Sequence, residues 1–257
     1  MKKKLMSVLI IIFILLCTNE SCQNYLGSLI YNTFYAFREK EEVTESSLII
    51  VETEQVSSLE DIGDFDGKAS VVVNNNEPYF TEEEKSATYP FEVYSELDEM
   101  GRCGVAYANI CKELMPEELR EGIGSVKPSG WNNVNYHDLV DGGYLYNRCH
   151  LIGFQLAGEN ANKLNLITGT RYLNVVGMLP YENEVASYVK STGNHVLYRV
   201  TPIFRGKELV TRGVLMEAYS VEDEGSGVKF CVYCYNAQPY ITINYRDGSS
   251  YITSEGN

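Results

Sequence analysis

The chain has 257 residues and a formal net charge of -14, because 35 acidic residues outnumber 21 lysines and arginines. An acidic balance of this size argues against a protein that coats nucleic acid, since such proteins carry a basic surface. Hydrophobic residues make up 44% and charged residues 22%, values that exclude wholesale disorder and low-complexity or collagen-like chains. The length allows one large domain or two small ones.

The first 22 residues have the pattern of an export signal. Lys2, Lys3 and Lys4 precede an apolar run from Leu5 to Cys17, which is too short to predict a transmembrane span. Because no clear cleavage site follows, residues 1–22 are predicted to be either an export signal or a retained anchor that attaches the chain to a membrane. Both interpretations place the protein outside the cell or on its surface.

A strongly acidic segment follows. Between Glu39 and Asp66, ten acidic residues stand against one base, Lys40. Runs of this kind usually stay solvated. Residues 23–67 are therefore predicted to be a flexible tether, and residues 68–257 the folded domain.

Strand and helix patterns follow one another irregularly within residues 68–257. Apolar spacing predicts a helix within Glu92–Leu114, and two more are predicted at Thr170–Gly177 and Glu182–Thr192, the last ended by Gly193. Six segments have strand composition: Ser70–Val73, Tyr144–His150, Val196–Phe204, Leu209–Tyr219, Val228–Tyr235 and Tyr240–Tyr245. Since regular βαβ alternation is missing, the pattern predicts an α+β fold with a central antiparallel sheet.

Two cysteines, Cys231 and Cys234, form a CxxC motif, which invites a zinc or thiol-redox interpretation. They lie in a segment of strand composition, where residues three apart point to opposite faces of a sheet. No second Cys or His pair completes a tetrahedral zinc set in the sequence. The motif is therefore predicted to be structural, with its thiols packed or bridged to other cysteines.

The charge is distributed unevenly along the chain. Residues 144–215 hold eight bases against four acids, a sum of +4, whereas both flanks are acidic. A basic centre is compatible with a locally bound polyanion, and equally with a solvated face.

Of the three histidines, His137, His150 and His195, only His150 has neighbours that suggest catalysis. It ends a predicted strand two residues after Arg148, and Asn165, Asn174 and Glu182 follow downstream. An imidazole, a guanidinium and amide and carboxylate oxygens are the groups that metal-assisted phosphodiester hydrolysis requires. From the residues alone, a structural role for this histidine stays open.

Three blocks in order resemble a known family. The segment Asn147–Gly153 (NRCHLIG) resembles the DRGH motif of the DNA/RNA non-specific endonucleases, which are ββα-metal (His-Me finger) nucleases and include secreted bacterial DNases. Asn165–Asn174 resembles the second block of that family, with two asparagines nine positions apart, and Leu97–Arg102 resembles its LDxxGR element. The resemblance covers about residues 70–245 and implies a ββα-metal finger that carries the active site.

The resemblance implies a role for each matching residue. His150 would be the general base, and Asn174 the direct ligand of Mg2+, with Mn2+ as an alternative ion. Glu182, in preference to Glu184, would orient a metal-bound water, and Arg148 would face the phosphate. Supporting and substrate-binding roles fall to four others: Asn165 and Asn147 would support the site, Arg171 would contact the substrate, and Arg102 would contact backbone phosphates or brace the fold.

Two positions depart from the family motif. Asn147 stands where the family has Asp, and Cys149 where it has Gly. An asparagine can make hydrogen bonds similar to those of an aspartate that fixes the strand end. The Cys149 side chain must either point away from the metal or, if it faces the site, make it redox-sensitive or crowd the substrate.

Together these observations predict an exported bacterial Mg2+-dependent endonuclease that acts on DNA, with RNA as an alternative substrate, through the phosphate backbone and without an organic cofactor. A site built from Arg, Asn and His suits low sequence preference, because phosphate contacts carry no base information. The rival hypothesis is a catalytically inactive surface module of the same fold that binds DNA or mediates adhesion. A thiol-redox protein that uses Cys231 and Cys234 is the third hypothesis.

Overall fold

A seven-stranded sheet forms the centre of the protein in a computed structural model. Its strands are β1 (Gln55–Val56), β2 (Ser70–Val73), β3 (Phe91–Tyr94), β4 (Ala106–Ile110), β7 (Val196–Ile203), β8 (Gly213–Ser220) and β9 (Lys229–Tyr235). They lie in the order β1-β2-β9-β8-β7-β4-β3, and every neighbouring pair is antiparallel except β1 and β2. This sheet confirms the predicted α+β class with a central antiparallel sheet.

The structure describes residues 55–56 and 62–253. The predicted export signal, residues 1–22, and most of the predicted tether lie outside these residues. The described part of the tether includes β1, and also Ile62 and Phe65, which pack against a core cluster of the sheet. The division of the chain at residue 68 stays a prediction. Among the described residues, no helix is long and apolar enough to cross a membrane.

Two further pairs of strands lie outside the main sheet. One joins β5 (Tyr146–His150) to β6 (Leu166–Thr170), in an antiparallel register that sets His150 opposite Leu166. The other joins β10 (Ile241–Ile243) to β11 (Ser250–Ile252). The sequence analysis does not predict β6, because the glycine and two threonines of its sequence, LITGT, interrupt the apolar pattern of a strand.

The helix that follows β6 is continuous but changes its geometry along its length. A π-helical segment, Leu173–Met178, leads directly into α2 (Leu179–Thr192). Pro180 is the second residue of α2. Gly193 ends the helix in a left-handed conformation with φ of +79°, as predicted. A single turn, α1 (Phe154–Ala157), precedes β6.

The predicted helix within Glu92–Leu114 is wrong, because this stretch forms the strands β3 and β4. Ala106, Ala108 and Ile110 are fully buried on one face of β4, at the two-residue spacing of a strand. Asn109 is also fully buried, and its Nδ2 donates to the carbonyls of Ala87 and Tyr89 at 2.8 and 2.9 Å. Because β4 is buried on both faces, its sequence lacks the alternation of apolar and polar residues that identifies a half-exposed strand.

The largest core cluster lies between one face of the sheet and the helix. Residues of α2, such as Val185 and Val189, pack there with Ile152 after β5 and with sheet residues such as Tyr198 and Cys234. This packing fixes the β5–β6 pair and the helix relative to one another. The ββα unit is therefore anchored on the sheet.

The cysteines of the CxxC motif are structural, as predicted. Cys231 and Cys234 are buried and unpaired, and they belong to clusters on opposite faces of the sheet. Burial raises the pKa of Cys231 to about 12, so its thiol is protonated at neutral pH. Neither thiol has the exposure or the lowered pKa of a redox-active cysteine.

Candidate active site

A cavity of about 680 Å3 brings together six of the eight residues that the sequence analysis selected. They are Asn147, Arg148, His150, Arg171, Asn174 and Glu182. The first three come from β5, and the others from the helix that begins after β6. The two-strand-plus-helix unit therefore positions the candidate site.

His150 is held in a defined tautomer at the end of β5. Its side chain is buried, and Nε2 lies 2.7 Å from the carbonyl oxygen of Asn160. Since a carbonyl only accepts, Nε2 carries the proton and Nδ1 holds the lone pair of the neutral ring. Burial lowers the pKa of His150, and the charge of Arg120 adds to this, although the bond to Asn160 opposes it. The ring is therefore neutral at pH 7 and able to accept a proton.

Asn165 fixes the loop that follows His150. Its Oδ1 accepts a hydrogen bond from the Ile152 N–H at 2.8 Å, and its Nδ2 donates to the Ile152 carbonyl at 2.9 Å. The Asn165 carbonyl also accepts from the Leu151 N–H at 2.9 Å. These bonds lie in the interior and do not reach the cavity, which is the arrangement expected of a residue that supports the site.

Asn174 lies in the π-helical segment and lines the cavity. The N–H of Leu179 donates to the Asn174 carbonyl, five residues back, which widens the turn at this position. Such turns occur often at functional sites because they re-aim a side chain without ending the helix. The Asn174 Oδ1 atom is a neutral oxygen of the kind that Mg2+ accepts as a ligand.

Glu182 is buried in the first turn of α2. Burial raises the pKa of Glu182 to about 7, although a hydrogen bond from Gln155 and the charge of Arg120 both lower it. A methyl group on Gly153 would lie 2.7 Å from the Glu182 Oε2 atom, so the glycine makes room for the carboxylate. The motif residue Gly153 thus sets the position of a side chain that lies 29 residues further on.

This close approach predicts the effect of Gly153→Ala. The added methyl group is expected to displace the flexible carboxylate, at a cost in unfolding free energy of about 1 kcal/mol or less, since no backbone must move. Displacement of about 1 Å at a catalytic group can cost roughly 100-fold in rate, so we expect the phosphodiester cleavage that the sequence resemblance implies to fall at least tenfold. Plasmid cleavage and thermal unfolding measure the two effects.

Gly63→Ala is the matched control, because a methyl group there meets nothing within 4 Å. Unchanged activity of Gly153→Ala, together with unchanged stability, would contradict the role assigned to this glycine.

Arg148 is fixed by the loop that covers β5. Its guanidinium group lies over the Trp131 ring, 4.3 Å from the centroid, and Nη2 donates to the Gly124 carbonyl at 2.8 Å. Its Nε donates to the Val126 carbonyl. These bonds orient the guanidinium at the cavity wall and leave further N–H groups for another acceptor.

The remaining two arginines are placed differently from each other. Arg171 lines the cavity and forms an ion pair with Asp141, in which Nη2 and Oδ2 are 2.8 Å apart. Arg102 does not line the cavity. It pairs with Asp98 at 2.7 Å and donates to the Gly206 and Glu208 carbonyls. These contacts agree with the alternative in which Arg102 braces the fold, and its substrate-binding role stays a prediction.

Arg120 was missed by the sequence analysis. Its Nη2 atom lies 3.5 Å from His150 Nδ1, and it lines the same cavity. Arg120 is a lone base within an acidic stretch that contains Glu117, Glu118 and Glu121. The sequence signal for Arg120 was its position as an isolated positive charge in an acidic run. No local pattern connects this residue to His150, which lies 30 residues further along the chain.

The fold and the cavity together define the class of protein, an α+β fold with a ββα-metal finger. Residues 81–222, more than half of the chain, match the family model described as DNA/RNA non-specific endonuclease. The chain belongs to this family, as the NRCH motif and the second asparagine block predicted.

Individual relatives agree with this assignment. A deoxyribonuclease of Streptococcus dysgalactiae subsp. equisimilis is 27% identical over 206 residues, which cover 64% of this chain and 62% of the relative. The chain thus spans less than two thirds of that protein. NucA from Streptococcus agalactiae, solved with a magnesium ion bound, is 25% identical with a TM-score of 0.64, covering 72% of this chain and 87% of its own.

A third relative is the Sda1 nuclease, solved with a bound zinc ion. It is 31% identical with a TM-score of 0.56, and the match covers 64% of this chain and 81% of that structure. Both solved relatives therefore hold a divalent ion, magnesium in one and zinc in the other.

Proposed function

We propose that the protein is an exported, Mg2+-dependent endonuclease that hydrolyses phosphodiester bonds of DNA, with RNA as the alternative substrate, and with little sequence preference. The observation that carries this proposal is the arrangement of His150, whose Nε2–H donates to the Asn160 carbonyl at 2.7 Å, so that Nδ1, which Arg120 Nη2 approaches to 3.5 Å, holds the lone pair of the base. The family membership and the relative named as a deoxyribonuclease support the reaction class and the DNA substrate. Export rests on the sequence of residues 1–22.

His150 acts as the general base. In this mechanism Nδ1 takes a proton from the water that attacks phosphorus, and the ring becomes positively charged. The Nε2–H bond to the Asn160 carbonyl, at 2.7 Å, stabilises that charge and prevents rotation of the ring. Because burial lowers the pKa of His150, the base is already in its neutral form before the substrate arrives.

The donor set in the cavity fits a divalent ion that prefers oxygen. Asn174 would hold it directly through Oδ1, and Glu182 through a water molecule, which is sparse ligation of the kind that Mg2+ or Mn2+ tolerates when phosphate and water complete the shell. Bound there, such an ion neutralises charge on the scissile phosphate. Glu182 contributes a carboxylate that Gly153 and the first turn of α2 keep in position.

Three arginines provide positive charge for the phosphate backbone. Arg148 presents a guanidinium that Trp131 and two carbonyls hold in place, so little entropy is lost when it binds an anion. Arg120 lies beside the base, where it stabilises charge that develops on the phosphate oxygens. Arg171, at the same cavity, extends the contact to the neighbouring backbone.

A plasmid-nicking assay tests the proposal. Supercoiled DNA with Mg2+ is expected to be nicked and then degraded, and excess EDTA should lower the rate by at least 100-fold, because the phosphate charge is then no longer neutralised. Activity should return when Mg2+ is restored in excess. Full activity in EDTA would rule out the metal-dependent mechanism, and retention of DNA in a shift assay without cleavage would favour the inactive binding module.

A further inference from the structure

Cys149 has a side chain where the family motif has none, and the structure shows where that side chain goes. The thiol is fully buried on the core side of β5. Its Sγ atom lies 3.1 Å from Asn174 Oδ1, in a geometry in which the thiol donates, and 3.5 Å from the sulfur of Met178. The cysteine therefore contacts the candidate metal ligand, whereas Cys149 itself does not line the cavity.

We propose that Cys149 is a positioning residue for Asn174. Its thiol donates a hydrogen bond to one lone pair of Oδ1 and so directs the other lone pair toward the cavity. Within residues 62–253 the Asn174 carboxamide makes no other side-chain hydrogen bond. This inference rests on the proposed function, because it gives Cys149 its role through the metal ligand.

The space for this side chain comes from the neighbouring strand. A methyl group on Gly169 would lie 2.6 Å from the Cys149 Cβ atom. There is therefore room for a side chain at only one of the two positions. Because residue 169 is a glycine, the Cys149 side chain fills this space. Met178, in the same π-helical segment as Asn174, limits movement of the thiol on its other side.

The expected size of the effect follows from the chemistry of the donor. Partners that hydrogen-bond a metal ligand typically change metal affinity by 10- to 100-fold. A thiol is a weak donor, so its loss should lie at the lower end of that range. A hydroxyl at the same position donates more strongly and should preserve the orientation of Asn174.

Calorimetric titration of the full chain with Mn2+, in the absence of DNA, tests the proposal. We expect Cys149→Ala to weaken Mn2+ binding about tenfold, and Cys149→Ser to stay within about threefold of the wild type. Cleavage at saturating Mg2+ should change little, while the Mg2+ concentration for half-maximal rate rises in the alanine variant. Should Cys149→Ala not fold, Cys149→Val, which fills the space of the thiol but donates no hydrogen bond, takes its place with the same expected loss.

Cys231→Ala is the control, since it removes another buried thiol, which belongs to a core cluster that does not include Cys149. It should leave Mn2+ binding unchanged. Equal Mn2+ affinity in the wild type, Cys149→Ala and Cys149→Ser would overturn the positioning role alone, and so would an equal loss in both variants. A wild-type chain that neither binds Mn2+ nor cuts DNA would overturn the proposed function, and this inference with it.

Discussion

Replacement of His150 by alanine is expected to reduce plasmid cleavage by roughly 100- to 10,000-fold, the usual contribution of a general base. The variant loses Nδ1, the proposed base, whose lone pair is fixed because Nε2–H is bonded to the Asn160 carbonyl. DNA binding should persist, because Arg120, Arg148 and Arg171 keep their positive charge at the cavity. Cleavage rates at saturating Mg2+ and a gel-shift assay on the same preparations separate the two properties.

Two further variants make this result specific. His150→Gln keeps a side-chain amide that can donate to the Asn160 carbonyl but supplies no base, so it should be as inactive as alanine while remaining folded. His137→Ala removes an exposed histidine and should retain full activity. If His150→Gln cut DNA within tenfold of the wild-type rate, the histidine would be a structural residue and another group would be the base.

The grouping of the candidate residues at one cavity could be predicted because several of them occur in short local patterns. The strand β5 carries Arg148 and His150 two positions apart, so both approach the same cavity from a single strand. Asn165 follows closely, and its bonds to Ile152 close the loop that it was expected to support. Where chemistry and local structure coincide in one segment, the sequence is informative.

The relation between Asn174 and Glu182 could not be derived from spacing. In a regular α-helix, residues eight apart differ by roughly 80° around the axis, which would point the two side chains in different directions. The π-helical turn at Leu173–Met178 holds an extra residue and so reduces that offset. No sequence pattern used for helices predicts such a turn.

Tertiary contacts account for the other differences. Arg120, in a loop distant in sequence, lies next to His150. Arg102 instead binds Asp98 and carbonyls of the β7–β8 connection, and it does not line the cavity. The LDxxGR element is present in the sequence, but its arginine, Arg102, pairs with Asp98 within a local turn. In this turn Asp98 also accepts a hydrogen bond from the backbone N–H of Met100. A motif match therefore identified the family without fixing the role of each residue.

Replacement of Asn174 by alanine is expected to lower the rate of DNA cleavage at low millimolar Mg2+ by about 100-fold or more. The change removes the oxygen proposed to hold the ion, and Glu182 alone, bound through water, is a weaker anchor. Unlike the loss in His150→Ala, this loss should be partly reversed at high Mg2+, because mass action compensates for lower affinity. A titration of cleavage rate against Mg2+ concentration distinguishes the two.

Asn174→Asp is the informative partner variant, because it keeps an oxygen at the same position and adds a charge. It should bind Mn2+ at least as tightly as the wild type in calorimetry without DNA, whereas Asn174→Ala should show no saturable binding over the same range. Asn244→Ala, at an exposed turn between β10 and β11, controls for loss of an amide elsewhere. If Asn174→Ala bound Mn2+ normally, the ion would be held by other groups. The contact from Cys149 would then serve packing, since a hydrogen bond that orients Oδ1 affects metal affinity only if that oxygen is a ligand.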